Sequence, residues 1–281
     1  MTLTRRGLGA AAISTTLGTG LAAAFVRRAA ANNLEKARRA GELVVATEMH
    51  FAPFDFTEGG RQTGLNLELF TEFGKEIGVK ITFQDLPWPA VLPGLEASRY
   101  DLVGGPATIT RARSERYRFS VPVAEATVAL LKRTNDSSIT KPQDIAGKQL
   151  GGATTTAQLA QFQAFVATLP GTTPPIREYQ SFSEAYADLA AGRIAAVANS
   201  LPNIVYVAKQ RPNVFSVVQP PFGTKSYFGY IGRKDADSAP LMDALDAAIV
   251  KMRNDGRLSA MQTKWFGQVF DTPDKPIEPA L

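Results

Sequence analysis

The 281-residue chain has no cysteine and a single histidine, and these two shortages remove most ordinary catalytic chemistry at once. Without cysteine there is no disulfide, no thiolate metal site, no thiol nucleophile and no cysteine-linked lipid leader. With His50 alone there is neither a Ser-His-Asp triad nor a multi-histidine metal centre. His50 sits beside Phe51 in an expected loop, where a solvated or hydrogen-bonded histidine is the simpler reading than a catalytic one. No metal, cofactor or catalytic residue is assigned. Basic stripes with interleaved aromatics are also missing, so no nucleic-acid partner is expected.

Near the amino terminus, Thr4-Arg5-Arg6-Gly7-Leu8 precedes a weakly apolar run to Val26 that is rich in Ala, Gly and Thr. Paired arginines before a modest apolar stretch suggest a twin-arginine export signal over residues 1–31, cleaved near Ala31. A retained membrane anchor is the competing reading, although the glycines and threonines lower its apolar content. Removing the leader takes away four arginines and no acid, leaving 27 basic against 26 acidic residues. The basic balance therefore belongs mostly to the leader, and a periplasmic location is expected.

Beyond a short polar helix at 33–40, strand and helix patterns alternate as an α/β chain with mostly parallel sheets requires. Strands are expected at 43–46, 79–83 and 102–103, then at 149–152, 176–179, 194–198 and 227–231. Helices are expected at 64–77, 89–97, 157–167, 183–191 and 239–253, with a turn at 261–266. Leu95-Glu-Ala-Ser-Arg-Tyr-Asp-Leu-Val103 is echoed by Leu189-Ala-Ala-Gly-Arg-Ile-Ala-Ala-Val197, offset by 94 residues, which suggests two similar βαβ blocks. Ligands of open α/β sheets bind beyond the carboxyl ends of the strands, here at Gly104–Thr110 and Ala198–Ser200. Around the first rim, Gly104 and Gly105 permit close backbone approach and Thr110 is placed to cap a helix carrying Arg113. The Thr108 hydroxyl, free helix N–H groups and the guanidinium would together hold a carboxylate. Arg113 could instead pair with Glu115 or Glu125 on a solvated face. The proline-rich end, 269–281, is expected to pack little.

These segments resemble a known family, the bacterial extracellular solute-binding proteins of family 3, which serve polar amino-acid ABC transporters. The resemblance spans nearly all of the mature chain. It rests on Phe51-Ala-Pro-Phe-Asp-Phe56, Gly64-Leu-Asn-Leu-Glu-Leu69, the Trp88 segment to Arg99-Tyr-Asp101, and Thr108-Ile-Thr110 with Arg113. Further along come Asp144-Ile-Ala-Gly-Lys148, Gly192-Arg193, and Asp255-Gly256 leading to Lys264-Trp-Phe-Gly267. It implies a two-lobed binding protein with two hinge crossovers, a solute closed between the lobes, and delivery to a membrane permease. Lobe 1 would comprise 41–125 plus 225–268 and lobe 2 126–224, in a monomer. Carried over by position, Phe51 and Trp88 resemble the aromatic pair around the solute. Thr108 and Arg113, with Gly105 beside them, resemble the carboxylate grip, and Glu48 stands where an acidic residue often lies.

The second lobe departs from that pattern. Thr155-Thr156-Ala157 stands where the family has Gly-Thr-Thr, so Thr156 keeps its place while one hydroxyl is gone. Ser200 stands where an aspartate usually clamps an α-ammonium, and Pro106 replaces a polar residue. Serine cannot balance a buried ammonium, so either Glu48 takes that role or the solute lacks an amino group. The expected function is binding of a small carboxylated solute, without catalysis. Two alternatives remain: a cyclohexadienyl-dehydratase-like enzyme, which needs a cleft acid, and a ligand-binding sensor acting through a partner.

Overall fold

The computed structural model describes residues 31–281, in which the alternating patterns become two sheets built to one plan. The first runs, edge to edge, through Lys80–Asp85, Glu42–Thr47, Leu102–Thr108, Tyr227–Arg233 and Tyr117–Phe119. The second runs through Arg177–Tyr179, Leu150–Ala153, Ala196–Ser200, Val128–Arg133 and Phe215–Val218. In each sheet the first three strands are parallel and the fourth is antiparallel to the third. That fourth strand is exchanged between lobes. Val128–Arg133 follows the first lobe in sequence yet lies in the second sheet, and Tyr227–Arg233 returns from the second lobe to the first sheet. The 94-residue echo leads into the third strand of each sheet, so it joins equivalent positions of the two halves.

The helices form where the sequence spacing puts apolar residues on one face. Leu65–Ile77 buries Leu65, Leu69, Phe70, Phe73 and Ile77. It is seated on the preceding turn, because the Leu65 and Asn66 N–H groups donate to the Pro53 and Phe54 carbonyls, each at 3.0 Å. Gly64 makes that seating possible: its φ is +126°, and any Cβ there would stand 2.2 Å from the Phe54 carbonyl oxygen. One core cluster runs through both lobes and includes Phe54, Phe70, Phe182, Phe215 and Phe228. Two smaller clusters complete the core, one around Val91 and Leu95, the other around Leu130 and Phe162.

Several expectations change. His50–Phe51 is a short strand in a three-stranded antiparallel sheet with Asp55–Glu58 and Arg61–Thr63, not a loop. Residues 257–266 form a helix rather than a turn, and a further helix spans Leu201–Gln210. The carboxyl-terminal segment is anchored, contrary to its composition. Phe270 packs edge-on against Phe266, the Arg253 guanidinium donates to the Pro273 carbonyl at 2.8 Å and the Thr272 hydroxyl at 3.0 Å, and Ile277 packs on the first lobe. Proline limits helix and ladder formation but leaves side chains free to dock. The expected export signal lies outside the described residues, save for Ala31.

Candidate functional site

The expected turn after Val103 is a strand that continues to Thr108, buried throughout, and its irregularity is what shapes the site. Opposite it, Val103 pairs with Ile231 and Ala107 with Gly229, so four steps on one strand face two on the other. Three residues, Gly104 to Pro106, thus stand against Tyr230 alone, a surplus of two, and Gly105 and Pro106 line the gap between the lobes. A buried polar cluster fixes the start of this bulge. The Asn66 amide donates to the Gly104 carbonyl at 2.8 Å and to Asp55 at 2.5 Å, and receives the Tyr230 hydroxyl at 2.7 Å. Burial pushes the Asp55 carboxyl up to about 7.

Thr110 caps the short helix Arg111–Arg116, accepting from the Arg113 N–H at 3.3 Å. The first helix N–H group is not free, however, since the Arg111 N–H donates to the Leu281 carbonyl at 2.8 Å. What faces the gap is the Arg113 side chain. Its guanidinium donates to the Thr108 carbonyl at 3.2 Å and lies 5.5 Å from the Trp88 ring centroid. It pairs with neither Glu115 nor Glu125, nor with any other carboxylate among the described residues. The side chain keeps some exposure, yet burial of the guanidinium pulls it down to about 10, so it remains a cation at neutral pH. Beside it the Thr108 hydroxyl is buried and makes no hydrogen bond.

One cavity between the lobes is lined by Glu48, Phe51, Trp88, Gly105, Thr108, Arg113 and Thr156, and also by Gln158, Phe182 and Phe228. Trp88 reaches it because it opens the helix Trp88–Glu96 just after Pro87. Phe51 meets Phe182 of the second lobe at 5.7 Å between centroids and Phe228 edge-on at 5.8 Å, so it serves both cavity wall and core. The Glu48 carboxyl is raised to about 8, first by burial and then by Asp85, Asp55 and Glu184. The cavity measures only about 20 Å³, room for a single water.

The second lobe meets the first through several bonds. Thr155, with φ +59°, turns its carbonyl to the Trp88 indole N–H at 3.4 Å and the Arg113 guanidinium at 3.5 Å. On the far side the Asn203 amide donates to the Ala52 carbonyl at 2.8 Å. Thr156 caps the helix Ala157–Val166, accepting from the Leu159 N–H at 3.1 Å and donating to the Ala153 carbonyl at 2.7 Å. Its hydroxyl is thus committed to the backbone. Ser200, expected at the rim, does not reach the cavity. It is fully buried, accepts from the Gln158 amide at 3.0 Å and donates to the Ala126 carbonyl at 3.2 Å. Gln158 stands in front of it, a residue that no motif in the sequence marks. The signal lay two residues past the Thr156 cap, where a first-turn side chain shares the exposed end of the helix.

Two exchanged strands, equivalent sheets and a gap with an unpaired cation at its wall now have their counterpart among known proteins. The model of bacterial extracellular solute-binding proteins, family 3, matches residues 43–268. The chain belongs to this family. Among family 3 relatives, the L-cystine-binding protein TcyJ of Escherichia coli K12 is 29% identical over 236 residues, covering 83% of this chain and 86% of the relative. An ancestral arginine-binding protein solved with arginine superimposes with a TM-score of 0.72 at 30% identity, over 81% of this chain and 99% of that one. An ancestral amino acid-binding protein, AncCDT-1, described as a precursor of cyclohexadienyl dehydratase, gives 0.72 at 28% identity, over 84% and 100%.

Proposed function

We propose that the protein captures a small carboxylated solute between its lobes in the periplasm and hands it to the membrane permease of an ABC transporter. One observation carries this reading: Arg113, a cation without a counter-ion, lies in the gap beside the unpartnered Thr108 hydroxyl. A carboxylate bound there would take two N–H bonds from the guanidinium and one O–H bond from Thr108. Phe51 and Trp88 would flank the rest of the solute, Gly105 would let it approach the backbone, and Thr156 and Gln158 would close over it. Because Ser200 is sealed behind Gln158, an α-ammonium would fall to Glu48. The relatives named for cystine and arginine fit a solute of this kind.

A cavity that holds one water admits no such solute unless the lobes part. The crossovers near Ala124 to Thr127 and Phe222 to Lys225 are the segments expected to bend, and a solute touching both lobes favours the closed form. A melting-temperature screen over amino acids, cystine, keto acids, dicarboxylates and amines tests the reading. Carboxylated compounds alone should stabilise the protein; stabilisation by amines lacking a carboxylate would contradict it.

The enzymatic alternative has one observation behind it. A carboxyl raised to about 8, as Glu48 is, stays protonated at neutral pH and suits a general acid. Incubation with prephenate or arogenate separates the two, since the binding reading predicts no aromatic product.

A further inference from the structure

The helix that carries Arg113 has little of its own to hold it. Arg111–Arg116 is six residues long and buries none of them, and a helix so short is marginal without outside support. At its start the Arg111 N–H donates to the Leu281 carbonyl at 2.8 Å, and the Thr110 hydroxyl takes the Arg113 N–H. At its other end Lys234 donates to the Ser114 carbonyl at 2.9 Å and Arg116 pairs with Glu96, both in exposed positions.

Leu281 belongs to a segment, 269–281, that lies beyond the residues matched by the family model, which stop at 268. The segment follows one path over the first lobe. Where it begins, the buried Gln262 side chain accepts from the Phe270 N–H at 2.9 Å and donates to the Val123 carbonyl at 2.7 Å. Arg253, which holds Thr272 and Pro273, also donates to the Pro122 carbonyl at 2.7 Å. Pro122 and Val123 are the foot of the crossover near Ala124 to Thr127, so two side chains clamp the segment and the crossover together. Ile277 then packs on the cluster that contains Ile109 and Tyr117, which flank the Arg113 helix and its cap, and that also carries Trp88.

We propose that residues 269–281 form a strap that positions the Arg113 helix for the solute, with Ile277 and the Leu281 carbonyl fixing the direction of the guanidinium. The inference rests on the proposed function, which assigns the solute's carboxylate to Arg113. A bidentate contact to a carboxylate depends on direction, so a fraying helix would have to be ordered at the moment of binding. The strap orders it beforehand. It does so without touching the solute, since none of its residues lines the Arg113 cavity.

Two variants of the mature chain test this, their folding checked by melting temperature. Deletion of residues 278–281 removes the Leu281 acceptor and leaves Arg253 its partners; Ile277→Ala loosens the packing, with Ile277→Val as the conservative control. By hydrogen exchange, residues 111–116 should exchange about tenfold faster or more in the deletion, while 102–108 keep wild-type protection. That comparison holds whichever solute the protein takes. Calorimetry with L-arginine against L-argininamide, and with L-cystine against L-cystine diamide, reads the grip itself. Where wild type prefers the acid by about tenfold, the deletion and Ile277→Ala should narrow the preference to about threefold or less, and Ile277→Val should restore it. Unchanged exchange at 111–116, or acid and amide weakened by the same factor, would show a packing role alone and overturn the inference while leaving the Arg113 reading intact. That reading fails separately if wild type binds each acid and its amide equally.

Discussion

The Gly104 backbone lies so close to the Val45 side chain that a Cβ there would stand 2.4 Å from Val45 Cγ1, with Phe70 at 2.8 Å. At Gly105, one residue on, a Cβ meets nothing nearer than Thr47 Oγ1 at 3.4 Å. The first glycine serves the packing of the fold; the second is spare as far as the protein itself is concerned and borders the cavity. Gly104→Ala should therefore cost about 1–3 kcal/mol of stability through overpacking. Gly105→Ala should leave stability within about 0.5 kcal/mol yet weaken solute binding. Urea denaturation and calorimetry on the two variants check this, and a stability loss at Gly105 matching that at Gly104 would contradict it.

Acid and base conditions should act in an unusual direction. Burial is the chief cause that raises Glu48 to about 8 and Asp55 to about 7. In the unfolded chain such carboxyls titrate near about 4, so between roughly pH 5 and 8 the folded protein binds more protons than the unfolded one. Stability of the solute-free protein should therefore fall as pH rises through this window. Glu48→Gln should flatten the part of the decline nearest pH 8. A melting temperature that climbs from pH 5 to pH 8 would show that neither carboxyl is held protonated.

Much of the site was legible because its residues sit at ends of regular elements. The rim rule placed Thr108 at the end of a strand, and the cap spacing from Thr110 placed Arg113 correctly. Helical periodicity likewise fixed Leu65–Ile77. What escaped depended on contacts distant in sequence. The bulge at Gly104–Pro106 is defined by its mismatch with residues 229–231, and its anchor Asn66 looks locally like any polar residue on a helix. The burial of Ser200 is invisible locally because it depends on Gln158, 42 positions away. The helix Leu201–Gln210 begins Leu-Pro-Asn, which reads as loop until the proline is recognised in the first turn, where its missing N–H costs nothing.

The carboxyl-terminal segment offers a test of packing against composition. Deleting residues 269–281 exposes the surface under Phe270 and Ile277 and strips Arg253 of two acceptors. The loss should amount to about 2–4 kcal/mol in urea denaturation. An unchanged midpoint would mean that the segment merely lies on the surface.

The central claim is that the Arg113 guanidinium grips a carboxylate between the lobes. Calorimetry on a solute found in the screen, set against its own primary carboxamide, tests this most directly, with wild type and Arg113→Met measured in parallel. Charge-assisted hydrogen bonds contribute about 1.5–3 kcal/mol, so the amide should bind wild type at least about tenfold more weakly. That difference should largely vanish in Arg113→Met, because the group that reads the charge is gone. Acid and amide binding wild type equally, or an undiminished difference in the variant, would contradict the account.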